Sequence, residues 1–383
     1  MTSVARTVAP HFGSAGRVFP QVGGLVAREG DRFVVIGGDG LRATVEGALC
    51  DEVAASLEAG SPTHALARLA PAHPALGAIV SWLATPAVPL TALDLVRLDG
   101  FDTFFLELLG RCNERCVHCY ADASPTVDEG LARETALRVI AEAATLGFRR
   151  IQLTGGDPLL CDYLPEAARA ARDAGFEYVE IYTNGLALND ELLDALAPAA
   201  PAFAVSIYSA DPDEHDRVTQ TPGSHRRTLA AIDRALARGH HVRAGIIVVA
   251  PAVDVPRLHA LLVARGVPEI SATATYAVGR GTETAAETVT PPAVPGGPIG
   301  GGGHRATGVR GEGKLCVTYA GDVVPCIFQR GTPLGNVRDG SLSELLARGP
   351  RRVLALADDP ARRLQCRSCR LTEAGLALLR GVR

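Results

Sequence analysis

Methionine and tryptophan are almost missing from this chain, one of each in 383 residues, and aromatic residues make up only 5%. Alanine, arginine and glycine are abundant, so this scarcity reads as a bias of the genome and carries no functional message. No run of 18 apolar residues occurs, so no membrane-spanning helix is expected. The first 16 residues hold an early arginine but no apolar segment of signal-peptide type. An excess of positive charge is also missing. The net charge is −4, which gives no basis for a nucleic-acid partner. Nor are the 9 cysteines dispersed as in a small disulfide-stapled secreted domain; they gather mainly in two places.

The first gathering is the most informative feature present: Cys112-Asn113-Glu114-Arg115-Cys116-Val117-His118-Cys119-Tyr120. Three thiolates at C-x3-C-x2-C spacing can hold three irons of a [4Fe–4S] cluster. The fourth iron then has no ligand from this motif and is open to a substrate or cofactor. The alternative is a four-ligand zinc site completed by His118, but that histidine lies inside the loop, beside Cys119. Iron-ligating thiols fit a reducing cytoplasm.

At 383 residues with 47% hydrophobic and 21% charged residues, the chain can form two or three domains with real cores. Residues 17–95 read as a small module. A strand over Arg32-Phe33-Val34-Val35-Ile36 ends in a Gly37-Gly38-Asp39-Gly40 turn, and a second strand fits 41–45. Helical segments follow at 48–58, 63–69 and 74–83, which together suggest a winged-helix-like unit. From residue 100 to 281 strand and helix patterns alternate. Strands are expected at 103–108, 150–154, 178–182, 203–207, 242–249 and 271–277, with helices at 129–146, 163–174, 190–197, 224–238 and 254–265. Apolar runs in most of these strands suggest a parallel sheet covered by helices, a partial (β/α)6 TIM-like barrel. Residues 282–312 are rich in glycine and proline and read as a linker. Residues 313–383 carry the second gathering of cysteines, Cys316, Cys326, Cys366 and Cys369. A hairpin tip at Ala320-Gly321 would set Cys316 opposite Cys326, and four thiolates would complete one closed cluster or a zinc site. Cys50 and Cys161 stand alone and read as buried thiols.

The cysteine loop resembles the signature of the radical S-adenosylmethionine (SAM) enzymes, and other strand ends agree with that family. Thr154-Gly155-Gly156-Asp157-Pro158 resembles the family's Gly-Gly-Glu-Pro turn, with Asp157 one methylene shorter than the usual Glu. Thr183-Asn184-Gly185 matches a family turn, and Ser206 and Tyr208 end the fourth strand where the family often has a serine. The resemblance implies that the open iron chelates SAM and that its reductive cleavage yields a 5′-deoxyadenosyl radical. It further implies contacts to SAM from Tyr120, Gly155, Gly156, Asp157, Asn184, Ser206 and Tyr208. The family's element on the fifth strand is not recognisable around Arg243 and Ile246. Arg280, in Gly279-Arg280-Gly281, either pairs with a carboxylate or is solvated.

The C-terminal pattern resembles the twitch and SPASM auxiliary-cluster domains. No cysteine follows Cys369, so one auxiliary [4Fe–4S] cluster is expected, and Cys316 lies closer to the following glycine than is usual. With residues 17–95 similar to leader-recognition modules, the whole resembles maturases of ribosomally made peptides. Implied partners are a precursor peptide and a flavodoxin- or ferredoxin-type electron donor. Implied products are a thioether or carbon–carbon crosslink, or an epimerised residue. Two rivals stand beside this: a radical dehydrogenase or epimerase of a small molecule such as a sugar or aminocyclitol, and an inactive iron–sulfur peptide-binding protein.

Overall fold

The computed structural model describes residues 103–249, 254–284 and 314–348, apart from 325, 329 and 332, and the backbone of five N-terminal strands. The chain divides into two compact units, Met1–Asp102 with Ala306–Lys314 and Ser343–Arg383, and Thr103–Arg305 with Leu315–Leu342.

In the first unit, β1 (Val4–Ala5), β2 (Val18–Gln21), β3 (Gly24–Glu29), β4 (Arg32–Gly37) and β5 (Arg42–Glu46) form an antiparallel sheet ordered β1-β5-β4-β3-β2. Glu29 of β3 pairs with Arg32 of β4. Strands β4 and β5 are the two that the sequence suggested. Strands β2 and β3 were not anticipated. Pro20 lacks the N–H that a central strand needs, and β2 accommodates it at the sheet's edge. The helices expected at 48–83, most of the linker, Cys50, Cys366 and Cys369 lie outside the described residues.

In the second unit, six strands run parallel in sequence order: β6 (Thr103–Glu107), β7 (Arg150–Thr154), β8 (Tyr178–Thr183), β9 (Ala202–Ile207), β10 (Val242–Val248) and β11 (Glu269–Ala274). The connecting helices are α1 (Arg133–Thr145), α2 (Leu164–Asp173), α3 (Asp190–Leu196), α4 (Pro212–Thr219), α5 (Ser224–Ala237) and α6 (Val255–Ala264). Helix α1 buries Ala136, Val139, Ile140 and Ala143, an i, i+3, i+4, i+7 stripe. Every residue of β9 is buried, as a central parallel strand between covering layers requires. The sheet is open at β11, so this is a partial barrel. At β6 it continues into β12 (Lys314–Val317), β13 (Asp322–Val324) and β14 (Gly335–Asn336). That hairpin covers what would otherwise be a bare strand edge.

Near the starts of the strands the sheet carries a buried ionic network. Arg243 of β10 donates from Nε and Nη2 to Glu180 of β8 at 3.1 and 2.8 Å, and Gln152 of β7 bonds the same carboxylate. Arg243 and Glu180 are 7% and 2% exposed, so neither charge could stay there without the other. Among the described residues no helix is long and apolar enough to cross a membrane.

Candidate metal centre and cofactor site

The loop after β6 holds Cys112, Cys116 and Cys119 at the C-terminal end of the parallel strands, and it is pinned from three sides. On one side Gly156 N donates to Leu109 O at 2.6 Å and Asp157 N to Arg111 O at 2.9 Å. A Cβ on Gly155 would lie 2.3 Å from Leu109 O, and one on Gly156 would lie 2.2 Å from Arg111 O. Only glycine permits this backbone-to-backbone approach, and Gly155 also sits at φ +143. On a second side α4 accepts Arg115 N and Val117 N at Thr219 O and Val218 O, at 3.1 and 3.0 Å. On the third, the turn after β11 closes over the loop. Arg280 donates from Nε to Cys116 O at 2.9 Å and from Nη2 to Ala123 O at 2.7 Å. Arg280 therefore neither pairs with a carboxylate through its guanidinium nor stands solvated; it clamps the cysteine loop.

Cys112 is buried, and Cys116 and Cys119 are partly buried. Burial is the main force raising all three thiols above their ordinary value; Cys116 also senses Cys112 and Cys119, and Cys112 senses Cys119. Glu114 N donates to Cys112 Sγ at 3.4 Å, Asn184 Nδ2 approaches the same sulfur at 3.7 Å, and Tyr208 Oη lies 3.8 Å from Cys116 Sγ. The backbone N–H groups of Ala121 and Ala123 offset part of the effect of burial on the Cys119 thiol. Among the described residues no three His, Cys, Asp or Glu side chains converge to hold a single ion. Three thiols on one loop, with N–H and O–H donors beside Cys112 and Cys116, are the donor set of an iron–sulfur cluster's cysteines. The His118 imidazole is buried, which lowers its pKa to about 4, and its Nδ1 has no partner. Glu114, inside the same loop, is 2% exposed, and burial pushes its carboxyl up to about 8.

Four expected SAM contacts, Asp157, Tyr120, Gly155 and Gly156, are engaged with the protein itself. The Asp157 carboxylate is fully buried and accepts from Leu159 N, Thr183 Oγ1 and Asn184 N, all within 2.9 Å. It thereby ties the end of β7 to the end of β8, and burial pushes its pKa up to about 6. Tyr120 turns to the C-terminal segment. Its ring meets Phe328 edge-on with centroids 5.4 Å apart, and the Arg330 guanidinium lies 5.7 Å from it. Gly155 and Gly156 approach the cysteine loop. Ser206 is 9% exposed on β9, opposite Gly245 of β10.

Sequence reasoning missed two parts of the site. Glu107, the last residue of β6, is 0% exposed and accepts from both Nη atoms of Arg330 at 2.5 and 2.9 Å. A lone acid within Phe104-Phe105-Leu106-Glu107-Leu108-Leu109 was the available signal, since a buried carboxylate demands a partner. The second is the buried pair His215 and His225, whose rings lie 5.3 Å apart, with His215 5.2 Å from Tyr208.

The C-terminal hairpin needs one correction. Cys316 pairs with Val324, not with Cys326. Gly321, at φ +85, forms a tight turn in which Thr318 N bonds Asp322 O, and this register places Val324 opposite Cys316. Cys316 packs with Phe105, Val324 and Ile327, and Cys326 is 2% exposed. Cys366 and Cys369 lie outside the described residues, so those two expected ligands are not placed.

Residues 106–261 match the model of the Radical SAM superfamily, and residues 309–370 match SPASM, an iron–sulfur cluster-binding domain. The chain carries a radical SAM domain and a SPASM domain. The radical SAM domain spans β6 to α6 and contains the whole cysteine loop; the SPASM match contains Cys316, Cys326, Cys366 and Cys369. Together the two matches indicate a [4Fe–4S] cluster with SAM, and an auxiliary iron–sulfur cluster. The chain is 37% identical over 129 residues to an AdoMet-dependent heme synthase of Methanosarcina barkeri, covering 33% of this chain and 37% of that protein. It is 36% identical over 138 residues to a PqqA peptide cyclase of Ruegeria pomeroyi, covering 35% and 36%. It thus spans little more than a third of the length of these relatives. The fold is similar to SuiB of Streptococcus suis bound to the precursor peptide SuiA, with a TM-score of 0.55, 12% identity, and 93% and 94% of the two chains covered.

Proposed function

We propose that this chain is a radical SAM enzyme that modifies a ribosomally made peptide. The observation that carries the reading is the cysteine loop, clamped at the C-terminal end of the parallel strands between the ends of β7 and β11 and against α4. In this reading Cys112, Cys116 and Cys119 hold the cluster and leave one iron open. When bound, the cluster and SAM supply a one-electron cleavage that initiates hydrogen-atom abstraction. The protein's part is to fix the loop, through Gly155, Gly156 and Arg280, and to keep water away through the buried Glu107–Arg330 pair and the aromatic rings of Tyr120, Phe328 and Tyr276.

Peptide as the substrate class is supported by the peptide cyclase relative and by the N-terminal sheet. An extended leader can add a strand to an open sheet edge such as β2. We assign residues 17–95 to leader binding, 100–281 to the radical chemistry, 282–312 to a link and 313–383 to the auxiliary cluster, with a flavodoxin- or ferredoxin-type protein as electron donor. The test is mass spectrometry of a small peptide encoded beside this chain, co-expressed with and without it. A crosslink (loss of two hydrogens) or a deuterium-labelled epimer supports the proposal. An unmodified peptide, alongside SAM cleavage, overturns the peptide reading. The heme synthase relative favours a second reading, chemistry on a small molecule. Product formation without any peptide would establish it. Absence of 5′-deoxyadenosine under reducing conditions would instead mark an inactive binding protein.

A further inference from the structure

The expected SAM contacts Asn184 and Tyr208 have their polar atoms aimed elsewhere. Asn184 follows β8 and is 8% exposed; Tyr208 follows β9 and is 5% exposed. The Asn184 amide orientation is fixed by its other bonds. Its Oδ1 accepts from Leu186 N at 2.9 Å, so Nδ2 faces the loop, giving one N–H to Asn113 Oδ1 at 2.6 Å. The same Nδ2 also approaches Cys112 Sγ at 3.7 Å, with the Glu114 carboxylate as a further acceptor beside it. The Tyr208 ring is held between His118 and His215, at centroid distances of 4.9 and 5.2 Å, and its backbone N donates to His215 Nδ1 at 3.4 Å. Its hydroxyl then meets Cys116 Sγ at 3.8 Å. Glu114 Oε2 lies 3.4 Å from the same sulfur.

Cys112 also receives the backbone N–H of Glu114, which no side-chain substitution removes. A thiolate at Cys116 has Tyr208 as its side-chain donor. Donors to ligand sulfurs favour the reduced cluster, because the added electron raises the charge on the thiolates.

We propose that Asn184 and Tyr208 are positioning residues that hydrogen-bond the Cys112 and Cys116 sulfurs and raise the reduction potential of the radical SAM cluster. The proposal rests on the cluster site assigned above. The test is an EPR-monitored redox titration of the anaerobically reconstituted full chain, with iron and sulfide assayed for every sample. Tyr208→Phe keeps the ring between the two histidines and removes only the donor. Its cluster should load fully, and at a fixed applied potential its reduced-to-oxidised ratio should fall about fivefold. Asn184→Ala should shift the same way by less, since Glu114 N still serves Cys112. A fully loaded Tyr208→Phe protein with an unmoved potential overturns the proposal. A variant that loads no iron, beside a parent that does, makes its residue mere support for the loop and overturns it equally. If the parent itself loads no cluster in this loop, the site assignment fails instead, so the two failures are distinguishable.

Discussion

Gly155 shows how one residue decides whether the cysteine loop can be held. A methyl group there would press on Leu109 O at 2.3 Å, on a backbone already at φ +143. Gly155→Ala should cost the apo-protein about 2 kcal/mol or more, from strain and clash together, and should lower iron uptake. Chemical denaturation and iron assay check both; unchanged stability would show that the two loops are less tightly coupled. His215 gives a prediction in pH. Burial lowers its pKa to about 4, against 6.5 in the unfolded chain, so the fold favours the neutral ring. Its contribution is present above pH 6.5 and is lost as pH falls towards 4, amounting to about 3 kcal/mol. His215→Gln should therefore flatten the loss of apo-protein stability between those pH values, measured by denaturation at several pH values. An unchanged slope would exclude His215 as a source. The sequence named the cysteines and both glycines because spacing carries that chemistry. It could not show that Asp157 also accepts from Thr183 and Asn184, because those partners arrive from the end of β8.

Among elements, the Glu107–Arg330 pair links the end of β6 to the segment after β13. Arg330→Met should cost about 3–5 kcal/mol, because it leaves a carboxylate buried without its counter-charge. Glu107→Gln with Arg330→Met should recover much of that cost. A double-mutant cycle measures the coupling, and additive costs would mean that the pair contributes little. All six parallel strands were legible in the sequence, because continuous apolar runs alternate with 3.6-residue stripes. Helix α4 was not. It has eight residues and buries only His215, Val218 and Thr219, too short a stripe to read. Its start was marked nonetheless: Asp211 caps it by accepting from Asp213 N and Glu214 N, and Pro212 follows. The hairpin register was misjudged by two residues because it depends on how tightly Gly321 turns, which spacing alone does not fix.

For the whole molecule, the cluster should be a structural member as well as a reagent. Three thiols that burial keeps protonated must lose their protons on binding iron, so cluster assembly releases protons and stabilises the fold. Reconstituted protein should accordingly melt higher than apo-protein, and an equal Tm would contradict this. The division of labour along the chain was legible where cysteines mark it. It was less so in the N-terminal module, where β2 and β3 escaped notice although each pairs with its neighbour in sequence.

The central claim is an open-iron cluster in the Cys112 loop. EPR of the dithionite-reduced, reconstituted protein before and after adding SAM tests it most directly. The account requires a reduced-cluster signal that SAM reshapes, retained in a Cys366→Ala/Cys369→Ala protein and lost when Cys112, Cys116 and Cys119 are all replaced by alanine. A signal indifferent to SAM in protein with the loop intact, or zinc bound by those three cysteines, would contradict it.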